Sequence, residues 1–337
     1  MPPVVKSAVA YYVRAVAYVS LWAAASVTLV MANSYAIRVD EFEFPMTISM
    51  CGPLLTFLVA LVAVLSGHTK LTRRMTAGEY ARTMLPVGVC TAFSLAIGNA
   101  LYLYFEVSSV QLLKAFSPVV TGGMLVALGM DVVTAPKLCG VVMMTGGTAL
   151  ACSGMTEFSV VGFCIVLGGE LVEGSRMVLW QHVLKTKKMP MIEGLLYYAP
   201  AAFVFLATGV AIFERDAFSE SENSRKLSRK PHLYLGIGVL GALVSVGTVG
   251  AIQICGSLTF KALAQVRNAV IIFGAVLFYG DDLTIREVCG YVVTLSGFTL
   301  YQYYRTQEDM REIRATGYDA IGEGEKEGLL AKQKRGQ

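Results

Sequence analysis

Apolar runs of about twenty residues recur along the chain, separated by short polar breaks. Ten stand out, at about 12–36, 45–66, 84–105, 108–130, 137–155, 158–184, 193–213, 232–254, 256–280 and 284–304. A helix rises about 1.5 Å per residue and the hydrocarbon core of a bilayer is about 30 Å thick, so such runs are long enough to cross. Their polar positions are isolated rather than gathered on one face, which excludes surface-lying amphipathic helices for most of them. The pattern predicts an all-α polytopic membrane protein of ten transmembrane helices. Linkers such as Glu106-Val107 and Asp281-Asp282-Leu283 are short enough to force antiparallel neighbours.

Composition narrows the class. The 337 residues are 55% hydrophobic and 15% charged, against about 25% charged in soluble domains. The net charge of +4 comes with no basic, aromatic-interleaved face, so nucleic acid is not an expected partner. Membrane lipid is. The cysteines lie in apolar runs without metal-ligand spacing, and His68, His182 and His232 do not cluster with them. They read as buried small hydrophobes, and no metal or other cofactor is expected. No glycine-rich phosphate loop and no nucleophile–base pair stands out, so neither a nucleotide-hydrolysing pump nor an enzyme is indicated.

Loop charge sets an expected orientation. Lys70, Arg73, Arg74 and Arg82, then Lys185, Lys187 and Lys188, fall on the side shared by both termini. Asp40, Glu41, Glu43, Glu157, Asp281 and Asp282 fall on the other. The positive-inside rule puts both termini in the cytosol. Glu214–Pro231 carries charges of both signs on the non-cytosolic side and reads as a flexible polar loop. The N-terminal stretch MPPVVKSAVAYYVR is short and has no small-residue cleavage site, so the first run is expected to remain and no organelle transit peptide is indicated.

The two halves resemble each other at an offset of 150 positions, through pairs such as Asp131/Asp281, Cys139/Cys289, Gly140/Gly290 and Gly147/Gly297. The expected organisation is a short cytosolic N-terminus (1–11), two five-helix repeats (12–155 and 156–305) and a charged cytosolic tail (306–337). Five is odd, so the second repeat is inverted. That arrangement belongs to transporters with a midplane site.

Candidate chemistry sits inside the runs. Gln111, Lys114, Ser117, Pro118 and Thr121 follow helical spacing and form one polar stripe, with Pro118 expected to kink the helix. Lys261, Gln265 and Asn268 form a second stripe, and Arg267 is assumed to reach the same cavity. Glu170, Glu173 and Arg176 supply a third group, with Glu173 and Arg176 spaced to pair. Their role is read as gating or proton coupling. Cations outnumber acids, so the cavity suits an anion, which a guanidinium grips bidentately. Tyr102, Tyr197 and Tyr198 are candidates for stacking on a sugar or base, and Asn99 for helix glue or cavity lining.

Three stretches carry a family likeness. SVQLLKAFSPVV, GELVEGSRMVLWQHVLKTKKMPMIEGLLYYAP and LTFKALAQVRNAVIIFGAVLFYGDDLTIREVCGYVVTLSGFTLYQYY resemble, in order, motifs of the triose-phosphate translocator and nucleotide-sugar transporter branch of the drug/metabolite transporter superfamily. The resemblance covers roughly residues 12–305. It implies ten helices, alternating-access antiport and an anionic organic phosphate as substrate. The family's fourth-span lysine falls on Lys114. Where plastid phosphate translocators carry a Lys-Arg pair, this sequence reads Arg267 and Asn268. That departure moves the expectation from triose phosphate in a plastid envelope to a sugar phosphate or nucleotide sugar in the Golgi or another endomembrane. Lys114, Arg267, Asn268, Lys261, Tyr198 and Gln111 are then the expected substrate residues. The alternatives are a non-transporting scaffold using its charged tail, or a carrier of a non-phosphorylated organic anion. A homodimer is left open.

Overall fold

The computed structural model describes residues 3–67, 69, 71, 75–127, 134–155, 159–186, 189–219 and 221–308, without side chains for 3–15, 125, 181, 185–186, 221–222, 224, 254–259 and 261–262. The expectations for Asp131, Glu157, Lys70, Arg73, Arg74, Lys187, Lys188 and the tail beyond 308 lie outside the described residues, as does the side chain of Lys261.

Among the described residues the chain is helical throughout. In order come α1 (Pro3–Ser34), α2 (Pro45–Leu65), α3 (Ala77–Ala100), α4 (Val107–Lys114), α5 (Ser117–Ala127), α6 (Ala135–Gly154), α7 (Val160–Thr186), α8 (Met191–Phe213), α9 (Asp216–Ser219), α10 (Ser221–Arg229) and α11 (Pro231–Tyr279). A last helix, α12, covers 285–308. Among the described residues, 6 helical stretches qualify as membrane spans by length and apolarity, against the ten runs expected from the sequence. Phe273, Phe278, Ile285 and Val292 are exposed, as expected of side chains that meet lipid. Cys139, Cys164 and Cys289 are exposed too. They sit on outward faces rather than in the core expected of them, which costs nothing where the surroundings are lipid.

Local chemistry marks the helix ends. Pro45 and Pro231 start α2 and α11, where a missing N–H is harmless. Thr284 and Glu287 form a reciprocal capping box before α12, Thr284 N–H donating to Glu287 Oε2 at 2.8 Å and Glu287 N–H to Thr284 Oγ1 at 3.3 Å. Gly280 ends α11 with φ 68°, a conformation glycine adopts without strain.

α11 is helical over 49 residues, yet it is not one rod. In a straight helix Gly247 and Gly274 would lie about 40 Å apart. Gly247 packs on Trp22 and Gly274 on Met31, residues about 13 Å apart along α1 by the same rise. Ile237 and Ala275 even share one hydrophobic cluster. The chain therefore doubles back between Gly250 and Phe260, and α1 lies against both legs.

Glycines set the closest approaches. A Cβ on Gly88 would meet Ala201 Cβ at 2.5 Å, and one on Gly238 would meet Cys51 Cβ at 2.9 Å. A Cβ on Gly140 would sit 2.8 Å from the Gly297 carbonyl oxygen, and one on Gly290 would sit 2.5 Å from that of Gly147. Within each pair of contacts, the second is the first shifted by 150 positions with the halves exchanged. α6 and α12 thus pack antiparallel along a glycine seam.

Glu214–Pro231 is not the flexible loop its composition predicts. α9 and α10 fill it, Ala217 is fully buried, Leu227 packs on the core beneath, and Lys230 pairs with Asp40 at 2.6 Å.

Candidate substrate site

The predicted kink at Pro118 is a full break. α4 ends at Lys114 and α5 begins at Ser117. A continuous α-helix would need the N–H of residue 118 to donate to the carbonyl of Lys114, and proline has none. The turn tightens instead, Phe116 N–H donating to the Leu113 carbonyl at 3.1 Å. The break leaves Lys114 at a helix end facing a central cavity of ≈ 250 Å³, which Ser117 also lines. Its ammonium reaches α3, 4.0 Å from where a Gly98 Cβ would lie. Gln111, one turn earlier, does not line this cavity; it is fully buried.

From α11, which packs against α4, comes Arg267. Its Nη2 and Nε donate to Asn268 Oδ1 at 2.6 and 3.3 Å, and its Nη1 donates to Ser26 Oγ at 2.7 Å. The guanidinium lies over the Trp22 ring, 5.2 Å from its centroid. Among the described residues no ion pair engages Lys114 or Arg267. Arg176 differs. It is held by Glu173 through Nε at 2.8 Å and through Nη2, and Ser94 donates to the same carboxylate at 2.6 Å. Glu170 and Gln265 complete the polar lining.

A second cavity of ≈ 110 Å³ adjoins the first, sharing Asn33, Ser94, Asn99, Arg176 and Thr248 with it. Its own walls bring Ser49, Thr91, Trp180, Tyr198 and Ser245. Asn33 donates to Asn99 at 2.9 Å and Asn99 to Ser49 at 2.8 Å; Asn99 thus joins helices and lines both cavities. Tyr102 lines the first cavity, whereas Tyr197 packs with Tyr80 in a hydrophobic cluster.

The structure therefore gathers Lys114, Arg267, Asn268, Glu170, Glu173 and Arg176 around one space, puts Tyr198 next door, and leaves Gln111 out. Sequence reasoning missed the α1 contribution. Ser26, Asn33 and Trp22 sit in a run whose polar positions are too sparse to form a stripe.

The Triose-phosphate Transporter family matches residues 13–302 of the chain. A probable sugar phosphate/phosphate translocator of Arabidopsis thaliana is 25% identical over 316 residues, 92% of this chain and 81% of that protein. A GDP-mannose transporter of the same plant is 22% identical over 84% of each chain. One crystal structure, 11% identical, shares the fold with a TM-score of 0.55 over 86% of this chain and 96% of that one.

Proposed function

Because the chain belongs to the Triose-phosphate Transporter family, we propose that it is a secondary antiporter exchanging a phosphorylated sugar or a nucleotide sugar for phosphate or a nucleotide. One observation carries this reading. Lys114 and Arg267 converge on a cavity deep between apolar helices, and no described ion pair neutralises either. Buried charge in a membrane is costly and persists where a ligand meets it. The phosphoryl group lies between the two cations. The second cavity, where hydroxyls and amides accompany the Glu173-paired Arg176, takes the sugar or nucleoside, with Tyr198 on its wall.

Ten spans in two inverted repeats supply the alternating access. The paired glycine contacts support this. α6 and α12 are 150 positions apart, run antiparallel, and meet at Met144 and Thr294, themselves 150 apart. A two-fold axis relating equivalent but antiparallel spans lies in the membrane plane. We place both termini in the cytosol and the carrier in the Golgi or another endomembrane.

The test is exchange in liposomes loaded with inorganic phosphate. Labelled triose, pentose and hexose phosphates, nucleoside monophosphates and nucleotide sugars are offered outside. Uptake should depend on the internal anion. Lys114→Ala and Arg267→Ala should each lower it about ten- to a hundredfold, the size of a lost charge-assisted hydrogen bond. Folded variants that exchange at the parent rate would sink the assignment.

A further inference from the structure

We infer that Asn268, Ser26 and Trp22 are positioning residues. They form a neutral cradle that presents the Arg267 guanidinium to the substrate anion without cancelling its charge. The inference rests on the reading of Arg267 as an anion ligand and says how that ligand is held.

Geometry assigns the roles. An arginine side chain has only donors, so Asn268 must turn its carbonyl oxygen, not its amide nitrogen, toward it. That oxygen takes both donors of one edge, Nε and Nη2. Ser26 takes one donor of Nη1. Of the five N–H groups of a guanidinium, two remain for a ligand, one on each Nη. Trp22 covers one face of the plane. It is itself wedged, with Phe260 at 4.5 Å between ring centroids and Gly247 against its backbone. Asn268, Ser26 and Trp22 are each at most 3% exposed, so they are fixed before any ligand arrives.

Neutrality is the essential property of this cradle. Arg176 has a similar grip from Glu173, but there the partner is a carboxylate and the charge is spent within the protein. Arg267 is immobilised by an amide, a hydroxyl and a π-face, and keeps its full charge for the cavity. Asn268 therefore acts through Arg267 and need not touch the substrate.

The test uses the purified full-length chain, inorganic phosphate as probe, and liposome exchange as a second readout. Asn268→Asp changes one atom and keeps both acceptor contacts. Its ligand-free melting temperature should equal or exceed the parent's, while phosphate affinity falls about tenfold or more because the new carboxylate neutralises Arg267. Asn268→Ala should raise the apparent KM with little change in turnover at saturation. In an Arg267→Ala background, Asn268→Ala should have no further effect on phosphate affinity, since the interaction it removes is already gone. Additive losses would overturn the inference and make Asn268 a direct ligand, and unaltered phosphate affinity in Asn268→Asp would overturn it as well. A parent chain that neither binds nor exchanges any phosphate compound would instead remove the reading of Arg267 beneath it.

Discussion

Lys114 depends on a proline four residues away that supplies nothing but an absence. Pro118 withholds the N–H that would bind the Lys114 carbonyl, so the helix stops and the ammonium faces the cavity. Pro118→Ala should let α4 and α5 join. Thermal stability should be kept or rise modestly, since Pro118 sits in the first turn of α5, where proline is tolerated, and the regained N–H adds one hydrogen bond of about 0.5–1.5 kcal/mol. Exchange should fall, because the rebuilt turn carries Lys114 around the helix axis. A variant that is at least as stable and equally active would show that the break is not needed. Glu173 offers the opposite case. Glu173→Gln leaves Arg176 without its carboxylate, and because the pair is only partly buried the cost should fall below the about 3–5 kcal/mol of breaking a fully buried one. The melting temperature should drop clearly, and a double variant that also carries Arg176→Gln should recover part of it. No recovery would mean that Arg176 finds another partner.

At the scale of elements, glycines decide how close helices come. A Cβ at Gly290 would lie 2.5 Å from the Ala151 nitrogen and the Gly147 carbonyl oxygen, both backbone atoms that cannot rotate away. Gly290→Ala should push α12 off α6 and lower stability by about 1–3 kcal/mol. Gly123 has nothing within 4 Å of its Cβ position, so Gly123→Ala should be neutral or slightly stabilising. Comparing the two melting curves checks the seam. Helical content was legible in the sequence, and six of the ten expected runs recur among the described residues as helices that qualify as spans, because an apolar run of membrane length has few alternatives. The α4–α5 break was only half legible: Pro118 announced a disturbance, but a kink and a break depend on what packs around the freed carbonyl. α9 and α10 were not legible. Their charge resembles a solvated loop, and tertiary partners such as Asp40, the Glu41 carbonyl and the apolar bed under Ala217 and Leu227 hold them down. The site divided along the same line. Lys114 and Arg267 declare themselves as charges in apolar runs, while Trp22 and Ser26 look like ordinary span residues until Arg267 is laid against them.

For the whole molecule, what matters is how the end that carries Asp40 and Asp281 is held together. On the side of Asp40 and Asp281, Leu101, Tyr102, Val110, Val166 and Ile271 join one apolar cluster. Arg38 ties the chain together over it, 3.7 Å from Asp281 and 3.8 Å from Glu106. Asp281 also accepts from the Ser108 N–H at 3.0 Å and hydroxyl at 2.9 Å, capping α4. Arg38 thus joins its own connection to two others, Glu106 before α4 and Asp281 after α11, at the end where the proposed alternating access would open the cavity. Arg38→Gln should favour the state open on this side. In sealed vesicles, a cysteine at Leu101, which lines the cavity, should react faster with an impermeant thiol reagent applied from the Asp281 face. Unaltered labelling would rule the tie out as a gate. Acid bears on the stability of this end through Glu106. Burial first, then Asp281, push the Glu106 carboxyl above its ordinary 4.5, with Arg38 opposing. A carboxyl raised in the folded state contributes stability that is fully present below its unfolded pKa and is lost as pH rises through the folded one. The melting temperature of the parent relative to Glu106→Gln, which does not titrate, should therefore climb as pH falls from neutral toward the glutamate range. A flat difference would mean that Arg38 fully offsets burial and Asp281 at Glu106.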